Sequence, residues 1–98
     1  MKIKKFYAEW CGPCKGLSMV IAGAGDKITI PIENIDIDRN IMESVQYDVR
    51  SVPMLVLVDD NGKEIKRLNG MVSETQLLEF LKVWYGKHPR QNQKELNY

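Results

Sequence analysis

The chain has 98 residues, with 14 Lys and Arg against 13 Asp and Glu, a formal net charge of +1 and an apolar share of 44%. That length suits one domain with one modest core, because so small a fold hides only about two-thirds of the surface its unfolded chain exposes. Nearly balanced charge with no block of one sign argues against nucleic acid or an acidic membrane as partner, and no apolar run approaches spanning length.

Met1 is followed by K-I-K-K, which leaves no room for the apolar core of a signal peptide, so the expectation is a soluble, cytoplasmic protein. Residues 2–8 read as a short strand running into the W-C-G-P-C-K stretch. Residues 13–24 then place Leu17, Val20, Ile21 and Ala24 at helical spacing, with Gly23 and Gly25 as stop signals. From Ile28, I-T-I-P-I-E-N-I-D-I alternates like a strand with one covered face, and Pro31 predicts that it lies at a sheet edge. Asp38 is placed to cap a short helix bearing Ile41, Met42 and Val45, which must end before V-R-S-V-P because a residue preceding proline resists helical angles. M-L-V-L-V at 54–58 predicts a buried strand, and D-D-N-G a tight hairpin into K-E-I-K-R-L. Ser73 with Gln76 predicts a capping box opening a helix that bears Leu77, Leu78, Leu81 and Trp84, with Trp84 expected to face inward. The order strand, helix, strand, helix, strand, strand, helix implies a crossover between parallel strands followed by an antiparallel hairpin on the same sheet. The fold class is α/β, with a four-stranded mixed sheet and about three helices.

Both cysteines, Cys11 and Cys14, stand where the first strand gives way to the first helix. Unpaired N–H groups and the positive end of the helix dipole favour thiolate at Cys11, which marks it as the attacking sulfur; Cys14, one turn further in, is placed to be the shielded second one. Pro13 costs no hydrogen bond in a first turn, and Gly12 lets a partner's backbone approach. A loop this short makes a poor entropic staple. Zinc would need about four ligands, and only His88 and carboxylates remain after the two thiolates. Attached haem would require histidine where Lys15 stands. The expectation is no metal and no cofactor beyond the redox-active cysteine pair.

W-C-G-P-C-K preceded by F-Y-A-E, then Y-D-V-R-S-V-P-M, then N-G-M-V-S-E-T-Q-L-L-E-F-L, resembles the thioredoxin family in three motifs in the same order, over roughly residues 3–84. The resemblance implies a thioredoxin-like domain at 1–86 followed by a polar tail at 87–98. It also implies a protein-disulfide reductase that acts as electron donor to disulfide-containing proteins. Cys11 resembles the attacking cysteine, Cys14 the resolving one and Pro53 the cis-proline facing the disulfide; Trp10, Val52, Gly70 and Met71 resemble the substrate groove. An NADPH-dependent thioredoxin reductase is the implied electron source, and ribonucleotide reductase is among the implied targets. The competing reading is a thioredoxin-like binding module in a larger assembly, for which redox turnover is incidental.

The chain departs from the family in two places. Family members usually begin with a further strand and helix, whereas these first residues are already the strand leading to Cys11; the paired glycines and aspartate with which glutaredoxins hold glutathione are replaced by N-G-M-V-S-E. Lys5 stands where thioredoxins usually carry a buried aspartate, and Asn34 replaces its common lysine partner. Three readings of Lys5 stay open: a charged modulator of thiolate pKa, a neutral base, or an amine that reaches water past an uncovered part of the sheet. Trp10, next to the first cysteine, is expected to contact partners, Glu9 and Lys15 to be solvated surface, and Met19 to pack.

Overall fold

The computed structural model describes residues 1–86, and in α3 the side chains up to residue 81. The tail at 87–98, with His88, and the inward placement expected for Trp84 lie outside the described residues.

The described residues form four strands and three helices in the order β1 (Lys2–Tyr7), α1 (Gly12–Ala24), β2 (Ile32–Asp36), α2 (Ile41–Gln46), β3 (Met54–Val58), β4 (Glu64–Asn69) and α3 (Glu74–Gly86), with one turn of 3-10 helix at Gly25–Lys27. The sheet order is β2-β1-β3-β4. β1 and β2 are parallel, with α1 in the crossover, and Lys5 lies opposite Asn34; β1 is antiparallel to β3, and β3 to β4. The mixed four-stranded sheet is therefore the one that the order of elements implied.

The pleat of β1 divides the core in two. Ile3 joins Leu17 of α1, Leu55 and Leu57 of β3, and Leu77, Phe80 and Leu81 of α3 on one face. Phe6 joins Ile35, Tyr47, Met54, Val56 and Val58 on the other. All five residues of β3 are buried, as a strand covered on both faces must be. Lys5 points to the α1 side and Lys4 to the α2 side, where its ammonium bonds Glu33 at 3.0 Å and Glu43 at 2.6 Å.

Local chemistry sets the element ends. Ser73 Oγ accepts from Gln76 N–H at 3.1 Å while Gln76 Oε1 accepts from Ser73 N–H at 2.9 Å, the reciprocal bonds of a capping box. The hairpin closes through Asp59 N–H to Lys63 O at 2.9 Å, with Gly62 at φ 83°. β2 is an edge strand, but Pro31 precedes it and does not interrupt its ladder; the Pro31 carbonyl accepts from Ile3 N–H at 2.8 Å.

Three expectations are corrected, at Asp38, Met19 and Gly23. Asp38 does not cap α2: Asn40 is its first flanking residue, without a side-chain cap, and the Asp38 carboxylate is engaged elsewhere. Ile41, Met42 and Val45 face outward, because a six-residue helix reaches the core chiefly through Tyr47 at its end. Met19 is exposed, on the side of α1 away from Leu17. Gly23 lies within α1, and only Gly25, at φ 51°, ends it.

Candidate active site

The cysteines are set by the junction they occupy. β1 ends at Tyr7, and the Cys11 N–H donates to Ala8 O at 3.1 Å, folding the chain back so that Cys11 becomes the N-cap of α1. Pro13 sits in the first turn, where its missing N–H leaves no bond unmade. The Cys14 N–H points back and donates to Cys11 Sγ at 3.1 Å. One orphan donor of the helix end is thus spent on the sulfur that must carry charge as a thiolate. Cys11 and Cys14 are joined as a disulfide with their Cα atoms 5.3 Å apart.

Around the pair, Ala8, Cys11 and Cys14 form a small buried cluster against Tyr7, Ile37 and Val52. Cys11 Sγ lies 3.7 Å from the Val52 carbonyl oxygen. The Val52–Pro53 peptide is cis. The Pro53 carbonyl accepts from Gly70 N–H at 2.8 Å and Asn69 Nδ2 at 3.3 Å, tying the turn before β3 to the end of β4. Gly70 adopts φ 89°, which an L side chain resists. Met71 follows it, half open to solvent, and its thioether lies over Gly16: a Cβ built on Gly16 would stand 2.5 Å from Met71 Sδ.

Trp10 is 70% exposed beside the disulfide, and its indole N–H donates to Asp38 Oδ2 at 3.0 Å. Gly12 and Pro13 are also exposed, with open space where a Gly12 side chain would be. Trp10, Gly12, Pro13, Val52, Pro53, Gly70 and Met71 thus come from the cysteine turn and from two loops bonded to each other. Glu9 and Lys15 are exposed.

Lys5 is 5% exposed, with its Nζ donating to Ser18 Oγ at 2.8 Å and lying 5.2 Å from the Tyr7 ring centre. Its side chain reaches from β1 to Ser18 of α1, and burial holds the amine below its ordinary pKa of 10.5. A cavity of about 560 Å³ joins Lys5 to Cys14, with Tyr7, Ala8, Glu9, Lys15, Ser18 and Asn34 completing its wall. Sequence reasoning missed Ser18, Ile37 and the anchoring role of Asp38. Ser18 had a signal, since it lies four residues past Cys14 on the same helical face. Among the described residues, no three histidine, cysteine or acidic side chains cluster as metal ligands would, and no helix is long and apolar enough to cross a membrane.

Comparison with known proteins agrees with this geometry. The family model described as Thioredoxin matches residues 2–83. The chain is 40% identical over 77 residues to a thioredoxin of Chlamydia trachomatis, covering 78% of this chain and 74% of that one. It is 33% identical over 81 residues to a thioredoxin-like protein of Synechocystis, covering 81% and 76%. Among solved structures, a point mutant of thioredoxin from Halobacterium salinarum superposes with a TM-score of 0.75 at 33% identity, over 84% of this chain and 72% of that one. Fasciola hepatica thioredoxin gives 0.71 at 33% identity, over 83% and 77%. With its paired cysteines at a helix start beside a cis-proline turn, the chain belongs to the thioredoxin family and is a thiol-disulfide oxidoreductase acting on protein disulfides.

Proposed function

We propose that the protein works in the reducing direction, as a dithiol electron donor in the cytoplasm. Cys11 attacks a target disulfide as thiolate and forms a mixed disulfide; Cys14 then attacks Cys11, the target leaves as dithiol, and two electrons have moved from this chain to it. The observation that carries the assignment of roles is the Cys14 N–H bonded to Cys11 Sγ at 3.1 Å, which puts the stabilising donor on the first sulfur. In this reading the surface made by Trp10, Gly12, Pro13, Val52, Pro53, Gly70 and Met71 seats an extended stretch of the target. Its pairing partners are mainly backbone, which suits many targets because main-chain pairing carries little sequence information.

The electron source in this reading is an NADPH-dependent thioredoxin reductase, with ribonucleotide reductase among the targets. No further cofactor is required. Insulin reduction is the test: turnover is expected with dithiothreitol and also with NADPH plus a thioredoxin reductase. Failure of the first arm overturns the reductase reading, and failure of the second alone overturns the donor.

A further inference from the structure

Cys14 faces a problem that Cys11 does not. Its sulfur must become a thiolate to resolve the mixed disulfide, yet the residue is 2% exposed. Its own N–H is already committed to Cys11 Sγ, and burial among apolar groups raises a thiol's pKa. The helix end therefore serves the first sulfur and leaves the second without a donor among the described contacts.

The cavity that Cys14 lines contains one buried cationic side chain, Lys5. The described partners of its amine are neutral: the Ser18 hydroxyl, which fixes it at 2.8 Å, and the Tyr7 ring. Asn34, facing Lys5 across the β1–β2 pair, supplies an amide and no carboxylate. The other charged groups on the cavity wall, Glu9 and Lys15, are exposed and of opposite sign, so their fields partly cancel and are screened by solvent. A buried ammonium without a carboxylate partner has its attraction for an anion undiminished, and here the anion that chemistry generates in the same cavity is the Cys14 thiolate.

We propose that Lys5, held by Ser18, is the counter-charge for the Cys14 thiolate in the resolving step. This rests on the reading of Cys11 as the attacking sulfur. The Cys14 S–H bond breaks and its proton leaves to solvent through the open side of the cavity, past the exposed Ser18 and Asn34. The thiolate, stabilised by the ammonium, forms the S–S bond to Cys11 as the bond from Cys11 to the target sulfur breaks. The target sulfur takes the electron pair and is protonated by water. The chain ends as disulfide, the target as dithiol, and Lys5 is a cation before and after.

Stopped-flow reaction of the reduced protein with excess chromogenic aromatic disulfide separates the two sulfurs, since Cys11 attack releases one coloured thiolate and Cys14 attack a second. Lys5→Met is expected to leave the first phase unchanged, to slow the second about tenfold at neutral pH and to move its pH profile upward by about one unit, the thiolate fraction falling tenfold per unit. Lys5→Arg, which keeps the charge, is expected to retain the parent profile. Ser18→Ala, an exposed change that leaves the core intact, is expected to shift the second phase in the same direction by less. Lys15→Met should move it less than Lys5→Met does.

The inference is overturned if Lys5→Met slows both phases equally or neither, if Lys5→Arg behaves as Lys5→Met, or if Lys15→Met has the larger effect. Should Lys5→Met fail to fold, an unchanged second phase in Ser18→Ala overturns it. Loss of the first phase in Cys14→Ser, by contrast, would refute the assignment of Cys11 as nucleophile, whatever Lys5 does.

Discussion

The indole N–H of Trp10 is bonded at 3.0 Å to the carboxylate of Asp38, across the gap between the cysteine turn and the loop after β2. An exposed tryptophan with its ring open and its polar edge tethered is a preorganised contact surface, since the tether removes rotamer freedom before a partner arrives. Asp38→Ala is expected to raise KM for a protein disulfide severalfold while leaving the rate with a small aromatic disulfide at the parent value. In a Trp84→Phe background, Trp10 emission should change on reduction of the disulfide, and Asp38→Ala should alter the size of that change. Equal kinetic effects on large and small substrates would show that the tether serves the cysteines and not the partner.

Cys11→Ser is expected to abolish insulin reduction. Cys14→Ser should keep the first attack and accumulate target proteins as mixed disulfides, visible as adducts on a non-reducing gel and released by dithiothreitol. The asymmetry follows from the single N–H donor on Cys11. Trapping by Cys11→Ser instead would reverse the two roles.

Much of this architecture was legible because local signals agreed with one another. Strand, turn and helix around W-C-G-P-C, the Ser73–Gln76 capping box and the Gly62 hairpin each depend on residues within four positions, and all three formed. Asp38 was misplaced for the opposite reason. From sequence its nearest use is as a helix cap, but Trp10, 28 residues earlier, claims its carboxylate. Apolar Ile41, Met42 and Val45 marked a helix but not its exposure, because spacing alone cannot say how far a helix stands from the sheet. Lys5 was ambiguous for a further reason. Whether its amine reaches water depends on what covers β1, and the Ser18 hydroxyl and Tyr7 ring that hold it are brought together by packing.

The contact between Met71 and Gly16 allows a test of the groove that leaves the cysteines untouched. A Cβ on Gly16 would collide with the Met71 thioether at 2.5 Å, but that thioether is the flexible end of an exposed side chain and can swing away. Gly16→Ala should therefore fold with little loss, since alanine gains about 1 kcal/mol of helix propensity over glycine. It should raise KM for a protein disulfide if the displaced Met71 contacts targets. An unchanged KM, with the shift of Met71 verified by NMR, would remove Met71 from the groove.

Acid should unfold the protein partly through Glu33 and Glu64. Lys4 holds the Glu33 carboxyl below its ordinary 4.5, and Arg67 does the same for Glu64. A carboxyl with a depressed folded pKa contributes stability that is present above its unfolded value and is lost as pH falls through the folded one. Both groups are partly exposed, so each effect is small. Glu33→Gln and Glu64→Gln should each flatten the decline in urea midpoint below pH about 4.5. A slope unchanged in both variants would place the acid sensitivity elsewhere.

At the other end of the pH scale, Lys5 should act against stability. Burial lowers its folded pKa below 10.5, while in the unfolded chain the amine keeps its ordinary value. Between those two values the unfolded state binds more protons than the folded one, so stability rises with pH through that window. Below the folded pKa the full cost of burying the ammonium is present; above 10.5 it has been relieved. Lys5→Met places an uncharged side chain at the same buried position. It should be more stable than the parent at neutral pH, and the difference between the two should shrink as pH rises. Urea midpoints of both proteins, in the oxidised state and at matched pH, measure that difference directly. A difference that stays constant with pH would mean that the Lys5 amine titrates in the folded protein as it does in water. A Met variant no more stable than the parent at neutral pH would mean that the Ser18 bond and the Tyr7 ring already offset the burial of the charge.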